Sequence, residues 1–184
     1  MKRSTKLPGV LAAAMVTMVV APVTADDEHR VTTRLTGYQE TPVTLNSAAS
    51  GEFKARIRDH ETVIKYELTY RDLSSMPTQA HIHFGRPATT GSIVLFLCTN
   101  LTPPTGVPLP PACPVPETVM PIEGTLTAAD VIARPAQGID AGAAGFAEML
   151  KAIRAGAAYV NMHTMSFPSG EIRGGLRAHG HDDH

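Results

Sequence analysis

Apolar and polar residues alternate along much of this chain, and a period of two marks strands that bury only one face. Residues 51–58 place Phe53, Ala55 and Ile57 on one side and charged residues on the other. Residues 62–70 continue the pattern, with Ile64, Tyr66, Leu68 and Tyr70 in phase. Asp59, His60 and Glu61 between them suit a hairpin turn, so the two segments are expected to pair antiparallel. Residues 31–36 read as an earlier strand, followed by a loop over 37–46 that contains Pro42. The apolar run 91–97 is expected of a strand buried on both sides or lying at a sheet centre. Short strands are also expected over 119–126 and 171–177, the last after a turn through Phe167-Pro168-Ser169-Gly170.

Two stretches depart from this period. Thr127-Ala128-Ala129-Asp130 fits a capping box, and Pro135 and Gly138 stop the resulting helix within a turn or two. Residues 145–155 carry Phe146, Met149, Leu150 and Ile153 at helical spacing, and Gly156 stands where a C-terminal cap belongs. Seven or eight strands with one late helix predict an all-β fold, a Greek-key β-sandwich with one short inserted helix.

The ends of the chain read differently. Residues 1–25 have a basic start (Lys2, Arg3, Lys6), an apolar run from Val10 to Val23 and small residues before Asp26, the layout of a secretory signal peptide cleaved after Ala25. The run is too short, and meets Pro22 too soon, for a membrane span. A domain over 26–177 is expected to follow, then a polar, His-rich flexible tail over 178–184. His179, His181 and His184 in that tail suit weak metal capture or simple solvation. The chain carries 16 basic and 17 acidic residues, and loss of the three leader cations leaves a net charge of about −4. Nucleic acid is a poor partner for such a surface.

Cys98 and Cys113 flank a proline-rich segment, with six prolines from Pro103 to Pro114 if Pro114, just beyond Cys113, is included. In an exported, oxidised protein they are expected to pair and to staple a loop that cannot form ladder hydrogen bonds. A Cys-His metal site is the competing reading, although no second ligand is spaced near either cysteine. An exported location, periplasmic or extracellular, follows from the leader and the pairing together.

The chemistry concentrates in two short segments about eighty residues apart, Ala80-His81-Ile82-His83-Phe84-Gly85 and Tyr159-Val160-Asn161-Met162-His163-Thr164. Strand parity sets His81 and His83 on one face, and Tyr159, Asn161 and His163 on one face of the second segment. If the two strands share an edge, three imidazoles converge on one transition metal. Copper suits such a donor set best, with zinc the less favoured ion. The alternative is that the rings hydrogen-bond to backbone, Asn161 or Glu171 and hold the strand ends. Glu171 and Arg173 share a face, as a structural pair or with Arg173 guiding small anions. Met76, Met162 and Met165 lie near the histidines in sequence, where a thioether either favours Cu(I) or simply packs.

The segments 79–88, 158–164 and 167–174, with Leu35-Thr36-Gly37, Glu40-Thr41-Pro42-Val43 and the stretch 152–156, resemble the CHRD (chordin) domain family, which includes many exported bacterial proteins. The resemblance runs from about residue 31 to 177 and implies an exported domain whose relatives serve diverse roles. A fainter likeness links His81, His83, His163 and Arg173, in that order, to the copper-zinc superoxide dismutases and implies a dismutase-like or immunoglobulin-like sandwich. The chain departs from that pattern by having no bridging histidine soon after Phe84 and no zinc loop before Cys98. Two classes of function remain. One is a non-catalytic exported module that binds copper, or that binds another exported protein with no metal. The other is a superoxide dismutase-like copper oxidoreductase. No serine, cysteine or paired-carboxylate arrangement supports a hydrolase, and no catalytic residue is assigned.

Overall fold

The computed structural model describes residues 28–58, 62–103, 105–115 and 121–179. The expected signal peptide, the 59–61 turn, His181 and His184 lie outside these residues.

Among the described residues nine strands and one α-helix follow one another as β1 (Glu28–Thr36), β2 (Ser50–Arg58), β3 (Val63–Arg71), β4 (Pro77–Phe84), β5 (Ser92–Thr99), β6 (Ile122–Thr127), α1 (Gly142–Arg154), β7 (Ala158–Thr164), β8 (Ile172–Leu176) and β9 (Ala178–His179). The spatial order is β5-β4-β7-β8-β1-β2-β3-β6, with β9 added to β1, and every ladder is antiparallel. Thr36 with Arg173 is the one residue pair between β1 and β8, and β9 pairs with β1 again, so the order falls into two leaves there, β5-β4-β7-β8 and β1-β2-β3-β6 with β9 at the junction. The chain leaves β5, crosses to β6 and then returns as β7 beside β4, the return connection of a Greek key. The all-β expectation and the single helix are met.

Alternation explains the core. Phe53, Ala55 and Ile57 of β2 and Ile64, Tyr66 and Leu68 of β3 are all buried, while the charged residues between them face outward. Burying a side chain such as Phe53 contributes about 1.5–3 kcal/mol. Ile82, Val160, Met162 and Ile172 project into the same core from the other leaf. The Tyr66 hydroxyl spans the interior and donates to the Leu97 carbonyl at 2.7 Å, which ties β3 to β5.

The run in β5 is buried almost throughout for a more local reason. Opposite β4 the register shifts twice, between Ala80 and His81 and between Ile82 and His83. Each shift gives β5 one extra residue, Leu97 and Val94, and bulges of this kind re-aim the side chains beside them. Both extra residues are fully buried.

Helix α1 begins three residues earlier than the apolar spacing shows and packs Phe146, Met149, Leu150 and Ile153 inward. Gly156 ends it at φ 67, with its N–H bonded to the Ile153 carbonyl and that of Ala157 to the Ala152 carbonyl, a Schellman cap. The Thr127 capping box forms with Asp130, but it opens one 3₁₀ turn, Ala128–Asp130, and a second turn spans Pro135–Gln137. Cys98 and Cys113 are joined in a disulfide. The Asn100 side chain bonds both the N–H and the carbonyl of Cys113, which anchors the returning proline-rich segment. Pairing continues beyond the expected domain end, because Ala178 and His179 form β9 against Val31 and Arg30. Of the expected tail, Ala178 and His179 are described, and their backbone is paired in the sheet. Among the described residues no helix is long and apolar enough to cross a membrane.

Candidate metal centre

Strands β4 and β7 are neighbours, with His81 opposite Asn161, His83 opposite Tyr159 and Gln79 opposite His163. The core takes Ala80, Ile82, Val160 and Met162, so parity sends the histidines to the other face of the leaf. That face is covered rather than open: His81, His83 and His163 are only 1 %, 6 % and 9 % exposed. The ring of His81 lies 5.5 Å from that of His83 and 4.9 Å from that of His163, centre to centre. One ligand nitrogen from each ring falls within 4.8 Å of the others.

Hydrogen bonding fixes two of the rings. His83 Nδ1 lies 3.0 Å from the Gly91 carbonyl and His163 Nδ1 lies 3.0 Å from the Pro168 carbonyl. A carbonyl only accepts, so each Nδ1 carries the proton and each Nε2 presents a lone pair. Backbone carbonyls in this position orient metal-binding histidines. Both Nε2 atoms, and both nitrogens of His81, are buried without a partner. Leaving a buried polar atom unsatisfied costs about 1–3 kcal/mol, so the cluster is a locus of stored instability unless something fills it. Two of the three rings thus make the backbone hydrogen bonds that the alternative reading expects, while neither Asn161 nor Glu171 bonds to any ring and His81 makes no hydrogen bond.

Burial also keeps the rings neutral. Desolvation, reinforced by His163 and His83, lowers the His81 pKa to about 2. Desolvation lowers that of His83 to about 4, against an opposing contribution from the Gly91 carbonyl, and it lowers that of His163 as well. Neutral imidazole is the form that coordinates a metal. A tetrahedral site with bonds of about 2.0–2.1 Å needs nitrogens about 3.4 Å apart, so binding would draw the rings slightly inward.

Aromatic and cationic groups hold this arrangement from the side. Tyr159 stacks on His83 with ring centres 4.6 Å apart, and the Arg173 guanidinium lies 3.5 Å over the Tyr159 ring. The Arg173 Nη2 donates to the carbonyls of Thr89 and Arg86, and the Tyr159 hydroxyl accepts from the Gly91 N–H. The 85–91 loop is thus pinned over the site from several directions. Phe96 closes the other flank, edge-on to His81.

Glu171 and Arg173 do not pair with each other. The Glu171 carboxylate accepts from the hydroxyls of Ser47, Ser74 and Thr164 and from the Ser74 N–H. Arg173 is turned instead to carbonyls and to Tyr159, because the 85–91 loop lies nearer its fork. It is 3 % exposed, a poor position for guiding anions from solvent. Gly174, next on the strand, crosses β1 so closely that a Cβ would sit 2.7 Å from the Arg34 carbonyl.

One further group was not singled out for its chemistry in the sequence. Glu40, from the loop after β1, is buried, and its Oε2 accepts from Asn161 Nδ2 at 3.4 Å. Its Oε1 and the Asn161 Oδ1 have no partner. Desolvation raises the Glu40 pKa to about 7 although Arg173 and Asn161 pull it down. Every buried side-chain atom without a partner among the described residues therefore belongs to the histidines or to Glu40 and Asn161.

The fold and the site together define an antiparallel β-sandwich that carries a buried, three-histidine cluster able to hold a metal ion. Comparison with protein families matches the CHRD domain over residues 31–176, and the chain belongs to that family. No curated protein and no solved structure matches it.

Proposed function

We propose that this protein is an exported metal-binding module that holds one copper ion through His81, His83 and His163. The observation that carries the reading is the set of unpartnered imidazole nitrogens in one buried pocket, two of them with their lone pairs fixed by backbone carbonyls. Copper is preferred to zinc because a neutral imidazole site binds Cu(II) more tightly than any other first-row divalent ion. The Cys98–Cys113 disulfide supports an oxidising, extracytoplasmic location, where such bonds persist.

Binding is preferred to turnover. The rings are nearly enclosed, and Arg173, stacked over Tyr159 beside them, is engaged by the 85–91 loop. Titration of the purified protein with Cu(II) tests the proposal: one equivalent is expected to bind tightly, and His81→Ala/His163→Ala is expected to lose that equivalent. Unchanged stoichiometry and affinity in the variant would refute it. Superoxide loss above that of free copper ions, measured on the loaded protein, would instead favour an oxidoreductase.

A further inference from the structure

Met76 and Met165 are 46 % and 68 % exposed, although methionines usually fill gaps in a core. Met149 and Met162 do so here, each fully buried. The exposed pair stands at one end of the β4–β7 ladder, where Met76 immediately precedes β4 and Met165 immediately follows β7. Two hydrogen bonds clasp these connections together: Met165 N–H donates to the Met76 carbonyl at 3.1 Å, and Ser166 N–H donates to Ser75 Oγ at 2.8 Å. Both methionines line one surface hollow of about 750 Å³, with Asp72 and serine hydroxyls around them. Asp72 is also one of two non-glycine residues with positive φ among the described residues, at 56°, a conformation that such residues adopt sparingly.

Packing does not account for two long apolar side chains set side by side in water. Their donor chemistry does. A thioether carries no proton at neutral pH and is a soft ligand, so it ignores hard cations and selects Cu(I). Two thioethers on backbones clasped by hydrogen bonds supply the donors of a two-coordinate monovalent ion. The Asp72 carboxylate at the rim is shared with Arg71, whose Nε lies 3.8 Å away, so the thioethers rather than the charge carry the site. None of the three clustered histidines lines that hollow, so the two places are distinct.

We propose that Met76 and Met165 form a second metal site, a surface thioether pair that takes a soft monovalent ion such as Cu(I). The site stands independently of the histidine cluster. Its test uses Ag(I), a redox-inert stand-in for Cu(I), added to the whole protein labelled with ¹³C at the methionine methyls. The Met76 and Met165 methyl signals are expected to shift together and saturably with Ag(I), to ignore Zn(II), and to shift equally in His81→Ala/His163→Ala. The variant Met76→Leu/Met165→Leu is expected to lose the corresponding Ag(I) equivalent while its Met149 methyl signal reports an intact core. Unmoved Met76 and Met165 signals, or shifts that vanish in the histidine variant, would overturn the proposal.

Discussion

Replacing His81 with leucine is expected to make the metal-free protein more stable and at the same time deaf to copper. Both His81 nitrogens are unpartnered in a position 1 % exposed. One unsatisfied buried polar atom costs about 1–3 kcal/mol, and leucine removes two of them. The new side chain keeps an apolar contact with Phe96 but fits a pocket shaped for a flat ring, a mismatch of about 1 kcal/mol. The net gain is about 1–5 kcal/mol, or a rise in Tm on the order of 2–20 °C for a chain of this size. Wild-type protein, by contrast, gains about 2.7 kcal/mol at a free copper concentration one hundred times its Kd, and the variant gains nothing. Thermal unfolding of both proteins, with chelator and then with buffered copper, reads the two effects separately. A histidine that merely holds the strands would give the opposite result: a leucine variant clearly less stable than wild type under chelator would refute the reasoning.

Two further outcomes follow from groups around the site. Burial raises the Glu40 pKa from its ordinary 4.5 to about 7, so the folded state holds this proton more tightly than the unfolded chain. Its contribution to stability is complete below about pH 4.5 and is lost as pH rises through about 7, and Glu40→Gln should flatten urea unfolding free energies across that window. Replacing Cys98 and Cys113 together with serine opens a loop of sequence separation 15 and should cost about 3 kcal/mol, read from the shift in the denaturation midpoint.

The sandwich was legible where side chains alternate. Phe53, Ala55 and Ile57 against Glu52, Lys54 and Arg56 state the buried face of β2 without ambiguity, and β3 repeats the message in register. It was less legible in β5, where two bulges turn successive residues inward and erase the alternation. The start of α1 was hidden because Gly142, Ala143 and Ala144 carry no apolar spacing. Gly145 lies so close to the Asp140 carbonyl that no Cβ would fit, a tertiary constraint without a periodic signature. At the site, strand parity alone aligns His81 with His83 and sets His163 on the face of Tyr159 and Asn161. The groups that fix the tautomers, the Gly91 and Pro168 carbonyls, are backbone atoms and leave no trace in residue type. Glu40 reaches Asn161 from a loop about 120 residues distant, so nothing local relates them. The expected Glu171–Arg173 pair failed for a similar reason, since loops that strand parity does not describe offer each side chain better partners.

Anomalous scattering from crystals soaked in Cu(II), recorded on both sides of the copper absorption edge, tests the central claim most directly. One copper peak is expected about 2.0–2.1 Å from His83 Nε2, His163 Nε2 and one nitrogen of His81, with the Gly91 and Pro168 carbonyls still bound to the opposite ring nitrogens. Copper found only elsewhere on the chain, with the three rings unmoved and their nitrogens still without a ligand, would contradict the account.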